Sequence, residues 1–448
     1  MEHRRAVATA RSVRGVRDRA AGSTSHVTAQ NAAAEGIGRV AVGLLFAVSA
    51  PAFIAIAYAG TGSLPFLLSG VVLLAAFLPA LTPRRLHALD WAMLLVLVYE
   101  VPALLLSRYP ANSLRATVTL WAAVSFYAFV RMLIRTPRQA TVIAALVGTG
   151  GVVLAGVALM QFDRQVGLLR ANGFSDVVAF RARLISPSAP WVLGEWFTLL
   201  LLTLPFACAL VAYFWLEQRW LLAAGAALMP ISITAGLLLS CSRAIFWALV
   251  AFVVVAVGIA AAYRVIRIKQ AVVAIASTLC VSGVVLAAEN VLCPGLVEAY
   301  AGQHMSQVRS TEGRRAIWKR SADVFKVSPL WGVGSGNAPL FLTSSADQDE
   351  TTGFASRTFS LPIQVLAEKG AIGAALYLLV LVLAGWEAHR KLRSPKVSPQ
   401  MKGLTCCLAA GVIAVLFREL TYSSLLEHTA TAMLFAMAIA LATVEEPA

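Results

Sequence analysis

The chain has 448 residues, of which 59% are hydrophobic and 13% are charged. A soluble domain carries roughly twice this charged fraction, so the composition excludes an ordinary soluble protein. The net charge of +15 would suggest nucleic acid in a soluble chain. Here we assign much of it to loops that set membrane topology, and we expect no nucleic-acid partner. The apolar residues come in blocks of about 20, the length that crosses a bilayer as a helix. The sequence therefore predicts an all-α polytopic membrane protein.

Residues 1–38 are Ala-rich and basic, and no short apolar core with a cleavage site follows them. We interpret them as a cytoplasmic tail that touches anionic lipid. Residues 39–448 are predicted to form a single transmembrane domain of about twelve helices. The apolar blocks lie at approximately 40–59, 64–82, 89–106, 114–134, 140–161, 191–216, 221–241, 244–262, 271–288, 371–387, 403–417 and 428–444.

Lys and Arg collect on one side when these blocks are threaded alternately through a bilayer, and we interpret that side as the cytoplasm. It receives Arg84, Arg85, Arg131, Arg135, Arg138, Arg219, Arg264, Arg267, Lys269 and the run 389–393. Both termini are then cytoplasmic. The outer side carries two long loops, 162–190 and 289–370, and the second precedes span ten. Long ordered loops commonly carry function. Residues 361–370 are expected to form a helix that runs into span ten.

The outer loops and turns are rich in arginine, which the distribution of charge across membranes disfavours. The guanidinium group suits phosphate oxygens and stays charged when partly buried. The pattern indicates a site for an anionic, phosphate-bearing ligand at the outer leaflet; the alternative is that these side chains only meet solvent or lipid headgroups. They are Arg164, Arg170, Arg181, Arg183, Arg243, Arg309, Arg314, Arg315, Arg320, Arg357 and Arg418.

Arg243 lies in a turn between two apolar spans, where a charge persists only beside a polar cavity or a partner. Glu100 and Glu195 are also expected in the outer half of the membrane. A structural ion pair with such an arginine is as good an explanation of either glutamate as catalysis.

Two further motifs favour ordinary turns. Asp347, Asp349 and Glu350 lie among Ser, Thr and Gly, which is typical of a solvated acidic turn. The Gly-rich run 332–336 lacks the Lys-Ser/Thr that completes a phosphate-binding loop. We therefore expect neither a bound metal nor an organic cofactor.

Four stretches resemble the signature of the O-antigen ligase and polymerase family. They read GRRAIW at 313–318, SPLWGVGSG at 328–336, LAEKGAIG at 366–373 and SRA at 242–244. The match is close over roughly 180–390. It implies a GT-C-like glycosyltransferase architecture in the bacterial inner membrane, with the active face periplasmic.

Members of this family transfer a glycan from an undecaprenyl-diphosphate carrier to an acceptor, which is another carrier-linked glycan for polymerases and lipid A-core for ligases. By resemblance, Arg183, Arg243 and Arg314 handle the diphosphate, with Arg315 and Arg357 beside them. Fixed arginines can stabilise the departing charge without a metal. Arg243 and Arg314 are thus candidate catalytic residues, and Glu195 or His304 is a candidate base.

Ligases of the family commonly carry a His-Asn pair eleven residues before the glycine of the Leu-Ala-Glu-x-Gly run. Phe359 and Ser360 occupy those positions here. This departure favours a polymerase of O-antigen or exopolysaccharide, working beside a chain-length regulator, over a ligase of lipopolysaccharide biosynthesis. A transporter of lipid-linked glycans is a competing class. Transporters usually show internal repeats and ionisable residues near the midplane, whereas the charges here cluster toward one face.

Overall fold

The computed structural model describes residues 87–134, 136–173, 195–239, 242–266, 283–284, 287, 304–343, 360–420, 425 and 429–443. All of them lie in one compact unit, Arg85–Ala448. The helices are α1 (Ala88–Leu105), α2 (Pro110–Leu133), α3 (Pro137–Ala171), α4 (Glu195–Leu216), α5 (Trp220–Leu238), α6 (Arg243–Ala262), α7 (His304–Val327), α8 (Ala338–Thr343), α9 (Leu361–Arg393), α10 (Pro399–Glu419) and α11 (Thr429–Thr443).

The prediction of an all-α polytopic membrane protein is confirmed. Within the described ranges every regular element is a helix, and 8 helices are long and apolar enough to cross a membrane. A shorter apolar helix, Thr431–Thr443, corresponds to the last predicted span. Predicted spans 40–59 and 64–82, and nearly all of 271–288, lie outside the described residues, so the count of twelve stays a prediction.

The centre of the bundle is α4, which packs against α3, α5 and α10. Phe197, Leu201 and Phe206 are each no more than 1% exposed, as expected of a helix that is apolar on all sides. The approach of α10 depends on Gly411, because a β-carbon there would overlap the ring of Pro205 in α4. Small residues commonly let membrane helices pack this closely.

One predicted loop boundary changes. Helix α3 continues to Ala171, so the predicted loop 162–190 begins as helix. Prolines in the first turns of α2, α9 and α10 fit helix starts, because the N–H groups at these positions have no intrahelical partner and a proline there removes no helical hydrogen bond. The expected helix over 361–370 is confirmed, and it is joined to span ten through a break at Gly370.

Polar side chains join α1, α2 and α9 near both of their ends. Asp90, Arg131 and Glu387 meet at one end, and Glu100, Thr117 and Lys369 meet toward the other. Asp90, Arg131 and Glu387 all fall at span ends that the threading predicts to be cytoplasmic. Their grouping agrees with the predicted up-and-down course of the chain and leaves the membrane side as a prediction.

Candidate functional site

The segment that follows α7, residues 328–337, forms a compact loop that we call the signature turn. Its backbone pairs with the first part of α9: Val333 N–H donates to the Ala367 carbonyl and Gly334 N–H to the Glu368 carbonyl, each at 3.0 Å. In return Ala371 N–H donates to the Pro329 carbonyl at 2.8 Å. Two of the sequence stretches that carry the resemblance are therefore hydrogen-bonded to each other.

Glycine is required where these two segments touch. Gly332 has φ 72° and Gly370 has φ 63°, a left-handed backbone that other residues rarely adopt. A β-carbon on Gly332 would overlap the Glu368 carbonyl, and one on Gly370 would overlap the Leu330 carbonyl. The Gly-rich run thus allows close backbone contact, which agrees with its interpretation as a turn.

Asn337 fastens the signature turn to the connection between α1 and α2. Its side-chain amide lies 2.8 Å from Ser107 Oγ and 3.0 Å from Ser113 Oγ, and it donates to the Val333 carbonyl at 2.9 Å. The amide of Asn112 donates to the Gly336 carbonyl at 2.9 Å. Asn337 is fully buried and Asn112 is exposed. A buried amide satisfied as Asn337 is holds a loop in one register.

A buried ion pair lies beneath the signature turn. The Lys369 ammonium contacts Glu100 Oε1 and Ser335 Oγ, and the two charged side chains are 4% and 0% exposed. Ser335 Oγ donates to Glu100 Oε2 at 3.1 Å, and Thr117 Oγ1 donates to the same oxygen at 3.3 Å. The sequence left open whether Glu100 pairs with an arginine or takes part in catalysis; among the described contacts, the cation beside Glu100 is Lys369.

The backbone of the break in α9 is held from the side by an aromatic residue. Tyr99 OH donates to the Trp331 carbonyl at 3.2 Å and also contacts the Lys369 carbonyl. The rings of Tyr99 and Trp331 stack at 5.7 Å with planes 3° apart. The Glu368 carboxylate accepts from the backbone of Gly336 and Ala338 at the start of α8. Hydrogen bonds therefore join α1, the signature turn, α8 and α9 into one block.

Helix α7 is amphipathic and is attached to this block by its apolar side. Ile317 and Val324 pack with Val333, Leu342 and Ala367.

The opposite side of α7 is charged. Arg315, Lys319 and Arg320 are exposed. The hydrogen bond from Lys326, 2.7 Å away, lowers the pKa of the Asp323 carboxyl, so this acid offsets Lys326 and leaves the other cations. The exposed side of α7 is therefore net positive.

Two helix starts that carry sequence-predicted residues contribute to one buried apolar cluster. Helix α4 begins at Glu195 and α6 begins at Arg243. Phe197 and Ile245, in their first turns, belong to one buried apolar cluster with Leu361 at the start of α9 and Val415 near the end of α10.

The sequence predicted that Arg418 lies in an outer loop or turn, like the other outer arginines, but its environment in the structure is different. It lies inside α10, is 3% exposed, and donates to Glu419 Oε1 at 2.7 Å. The other oxygen of Glu419 accepts from Leu425 N–H at 3.1 Å. Arg418 is thus a buried, paired charge at the same end of the bundle.

The remaining sequence-predicted residues divide into three groups. Arg315 is an exposed side chain of α7. The backbone positions of Glu195, Arg243, His304 and Arg314 are described, on α4, α6 and α7. Outside the described residues lie Arg183, Arg357, Phe359, Asp347 and Asp349.

Sequence reasoning missed Lys369, Ser335 and Asn337. A lysine directly before the apolar residues of span ten was the available signal for a buried partner. Among the described residues, no three His, Cys, Asp or Glu side chains are grouped so that they could hold a metal ion. Freedom from metal stays a prediction.

Residues 198–378 match the family model described as O-antigen ligase. This range contains Arg243, Arg314, the signature turn and the break at Gly370, so the resemblance drawn from the motifs is confirmed. No curated protein matches the chain. The match supports an enzyme of the ligase or polymerase class that works in a membrane on lipid-linked glycans.

Proposed function

We propose that this chain, which carries the O-antigen ligase family domain at 198–378, is a polymerase-type glycosyltransferase. It transfers a glycan from undecaprenyl diphosphate to an acceptor glycan at the periplasmic face of the inner membrane. The product is an O-antigen or an exopolysaccharide, and a chain-length regulator is its expected partner.

The observation that carries this proposal is the attachment of α7 to the bundle. The signature turn and the first part of α9 anchor one end of α7, and the apolar packing of Ile317 and Val324 anchors its length. Arg314 and Arg315 therefore lie on a fixed helix rather than in a loose loop. A helix held in this way can aim charge at a diphosphate before the substrate arrives, which is the condition for electrostatic catalysis.

The reaction needs little beyond that charge. The bond between the anomeric carbon and the diphosphate oxygen breaks, undecaprenyl diphosphate leaves, and an acceptor hydroxyl oxygen bonds to the anomeric carbon. Arg243 and Arg314 stabilise the negative charge on the departing diphosphate through paired N–H donors, with Arg183, Arg315 and Arg357 supporting the grip. The acceptor proton passes to Glu195 or His304, which begin α4 and α7.

The polymerase is favoured over the ligase because Phe359 and Ser360 replace the His-Asn pair expected in ligases. A phenyl ring cannot accept a proton, so a ligase mechanism that depends on that histidine has no base at this position. Transfer to lipid A-core by another base is the alternative.

A liposome assay tests the proposal. Purified protein is given undecaprenyl-diphosphate oligosaccharide, with or without lipid A-core, and glycan length and released carrier are measured. Longer carrier-linked glycan is the expected result, lost in Arg314→Ala and kept in Lys319→Ala, which removes a neighbouring exposed cation.

The other outcomes of that assay each overturn a part of the proposal. Glycan on lipid A-core would identify a ligase. Carrier that crosses the bilayer without release of undecaprenyl diphosphate would identify a transporter. A deletion strain with unchanged glycan length on lipopolysaccharide and in exopolysaccharide would count against both transferase readings.

A further inference from the structure

The buried ion pair joins three segments that are far apart in sequence. Glu100 belongs to α1, Ser335 to the signature turn and Lys369 to α9 just before the break at Gly370. The Lys369 ammonium also lies 6.0 Å from the ring centre of Tyr377. Within the described residues, the polar contacts of the Glu100 and Lys369 side chains are thus all with other buried side chains of α1, α2, α9 and the signature turn.

A buried ion pair usually adds little to the free energy of unfolding. Replacing a buried ion pair by apolar side chains of similar volume is often neutral or stabilising, because desolvating two charges is costly. Removing only one partner is strongly destabilising. The two charges lie on α1 and α9, and the Ser335 hydroxyl of the signature turn hydrogen-bonds to both. Any shift that separates the charges or withdraws the hydroxyl is therefore penalised, and the cluster selects one arrangement of the three segments.

That arrangement sets the direction of α7. The signature turn begins at Ser328, directly after the last residue of α7, so the turn fixes the carboxyl end of the helix. Arg315 lies 12 residues before Val327, which is roughly 18 Å along a helix. A tilt of about 10° at the anchored end would move Arg315 by roughly 3 Å. Misplacement of a catalytic group by about 1 Å can cost on the order of a hundredfold in rate.

We propose that Lys369 and Glu100 are positioning residues for the transfer reaction. Their ion pair, bridged by Ser335, holds the signature turn against α1 and α9 in the one arrangement that aims the α7 arginines at the carrier diphosphate. The inference rests on the proposed function for its chemistry, and on the described contacts alone for its geometry.

The decisive variant is the double substitution Glu100→Gln with Lys369→Met, because it leaves no buried charge without a partner. We expect folded protein with wild-type yield. Turnover at saturating carrier should fall on the order of a hundredfold. Hydrogen exchange, measured by mass spectrometry, should be faster in 304–337 and unchanged in α4 and α10.

Lys391→Met is the matched control. Lys391 is a second buried lysine of α9, 5% exposed, and it contacts the carbonyls of Leu441 and Ala442 at the other end of the helix. We expect Lys391→Met to keep turnover per folded molecule and to leave exchange in 304–337 unchanged. Equal turnover losses in this control and in the double variant would overturn a specific positioning role.

The remaining outcomes separate the two proposals. Wild-type turnover in the double variant overturns the positioning role and leaves the proposed function standing. A wild-type protein that does not use the carrier overturns the proposed function, and the exchange data then decide whether the pair fixes α7. Should the double variant fail to fold, Ser335→Ala replaces it, since it removes only the bridging hydroxyl; unchanged turnover and exchange in Ser335→Ala overturn the inference.

Discussion

Arg131 donates to Glu387 at 3.1 Å and lies 3.3 Å from Asp90, so one guanidinium joins α2 to both α9 and α1. Tyr127 adds a donor to Asp90 at 2.8 Å and accepts from Arg131 at 2.7 Å. The same three helices are joined toward their other end by Glu100 of α1, Thr117 of α2 and Lys369 of α9. Buried charges therefore join these three helices at two levels, and the second level contacts the signature turn.

The first prediction concerns the contribution of Arg131 and its two carboxylate partners to the stability of the fold. Arg131→Ala should lower the free energy of unfolding by about 3–5 kcal/mol, because two largely buried carboxylates lose their cation. The exposed Arg138, which follows at the start of α3, offers a control: Arg138→Ala should change stability by no more than about 0.5 kcal/mol. Thermal midpoints of detergent-purified protein measure both. Equal midpoints for the two variants would refute the interpretation.

Gly370 provides a second prediction, on the backbone of the site. Gly370→Ala places a β-carbon on a backbone of φ 63° and against the Leu330 carbonyl. The left-handed conformation alone costs roughly 1–2 kcal/mol, and the overlap adds to it, so folded yield should drop. Gly385→Ala in the same helix meets nothing within 4 Å and should be tolerated. Comparable yields of the two variants, measured by size-exclusion chromatography, would show that the turn and α9 can separate.

The sequence predicted the membrane class, the long segment before span ten and the helix leading into that span, because each depends on the length of apolar blocks. It did not predict how the segments meet. The pairing of Glu100 with Lys369 spans 269 positions, and no local pattern encodes such a distant partner. The burial of Arg418 was not predicted either, because a charged residue that follows an apolar block is usually assigned to a loop. In the structure Arg418 lies in the last turn of α10 and is buried beside Glu419. The motifs could be recognised in the sequence, whereas the backbone hydrogen bonds that they form with each other became visible only in the structure.

A third prediction tests topology. Ala322 is exposed on α7, and Lys396 is exposed in the connection between α9 and α10. Because Lys and Arg asymmetry places these on opposite sides of the membrane, Ala322→Cys should react with an impermeant maleimide in spheroplasts. Lys396→Cys should react only after permeabilisation. The background needs its 6 native cysteines replaced. The reverse labelling pattern would show that the predicted topology is inverted and that the proposed site faces the cytoplasm.

Metal dependence is the subject of the fourth prediction. Turnover in liposomes should be unchanged by a chelator, because arginines supply the positive charge that a divalent ion supplies elsewhere. The measurement compares initial rates before and after chelation and after adding magnesium or manganese. A rate that collapses with the chelator and returns with the ion would contradict the prediction. Asp347 and Asp349 would then become the first residues to test as ligands.

The last prediction concerns Arg243, the first residue of α6. The carboxylate of Glu100 already has Lys369, Ser335 and Thr117 as partners, so loss of Arg243 would not leave Glu100 buried and unpaired. Arg243→Ala should therefore keep the yield of folded protein and lose transfer. Arg243→Lys should fail as well, because an ammonium lacks the paired donors that fit a diphosphate.

Arg219→Lys is the companion control for Arg243→Lys, since Arg219 is exposed before α5 and lies far from the proposed chemistry in the predicted threading. It should retain full transfer. Glycan transfer and monodisperse protein are measured side by side for all three variants. Full activity in Arg243→Lys would remove the need for a paired donor. Lost protein with unchanged specific activity in Arg243→Ala would make Arg243 structural, with Glu195 at the start of α4 as the first partner to examine, because the first turns of α4 and α6 share one buried cluster.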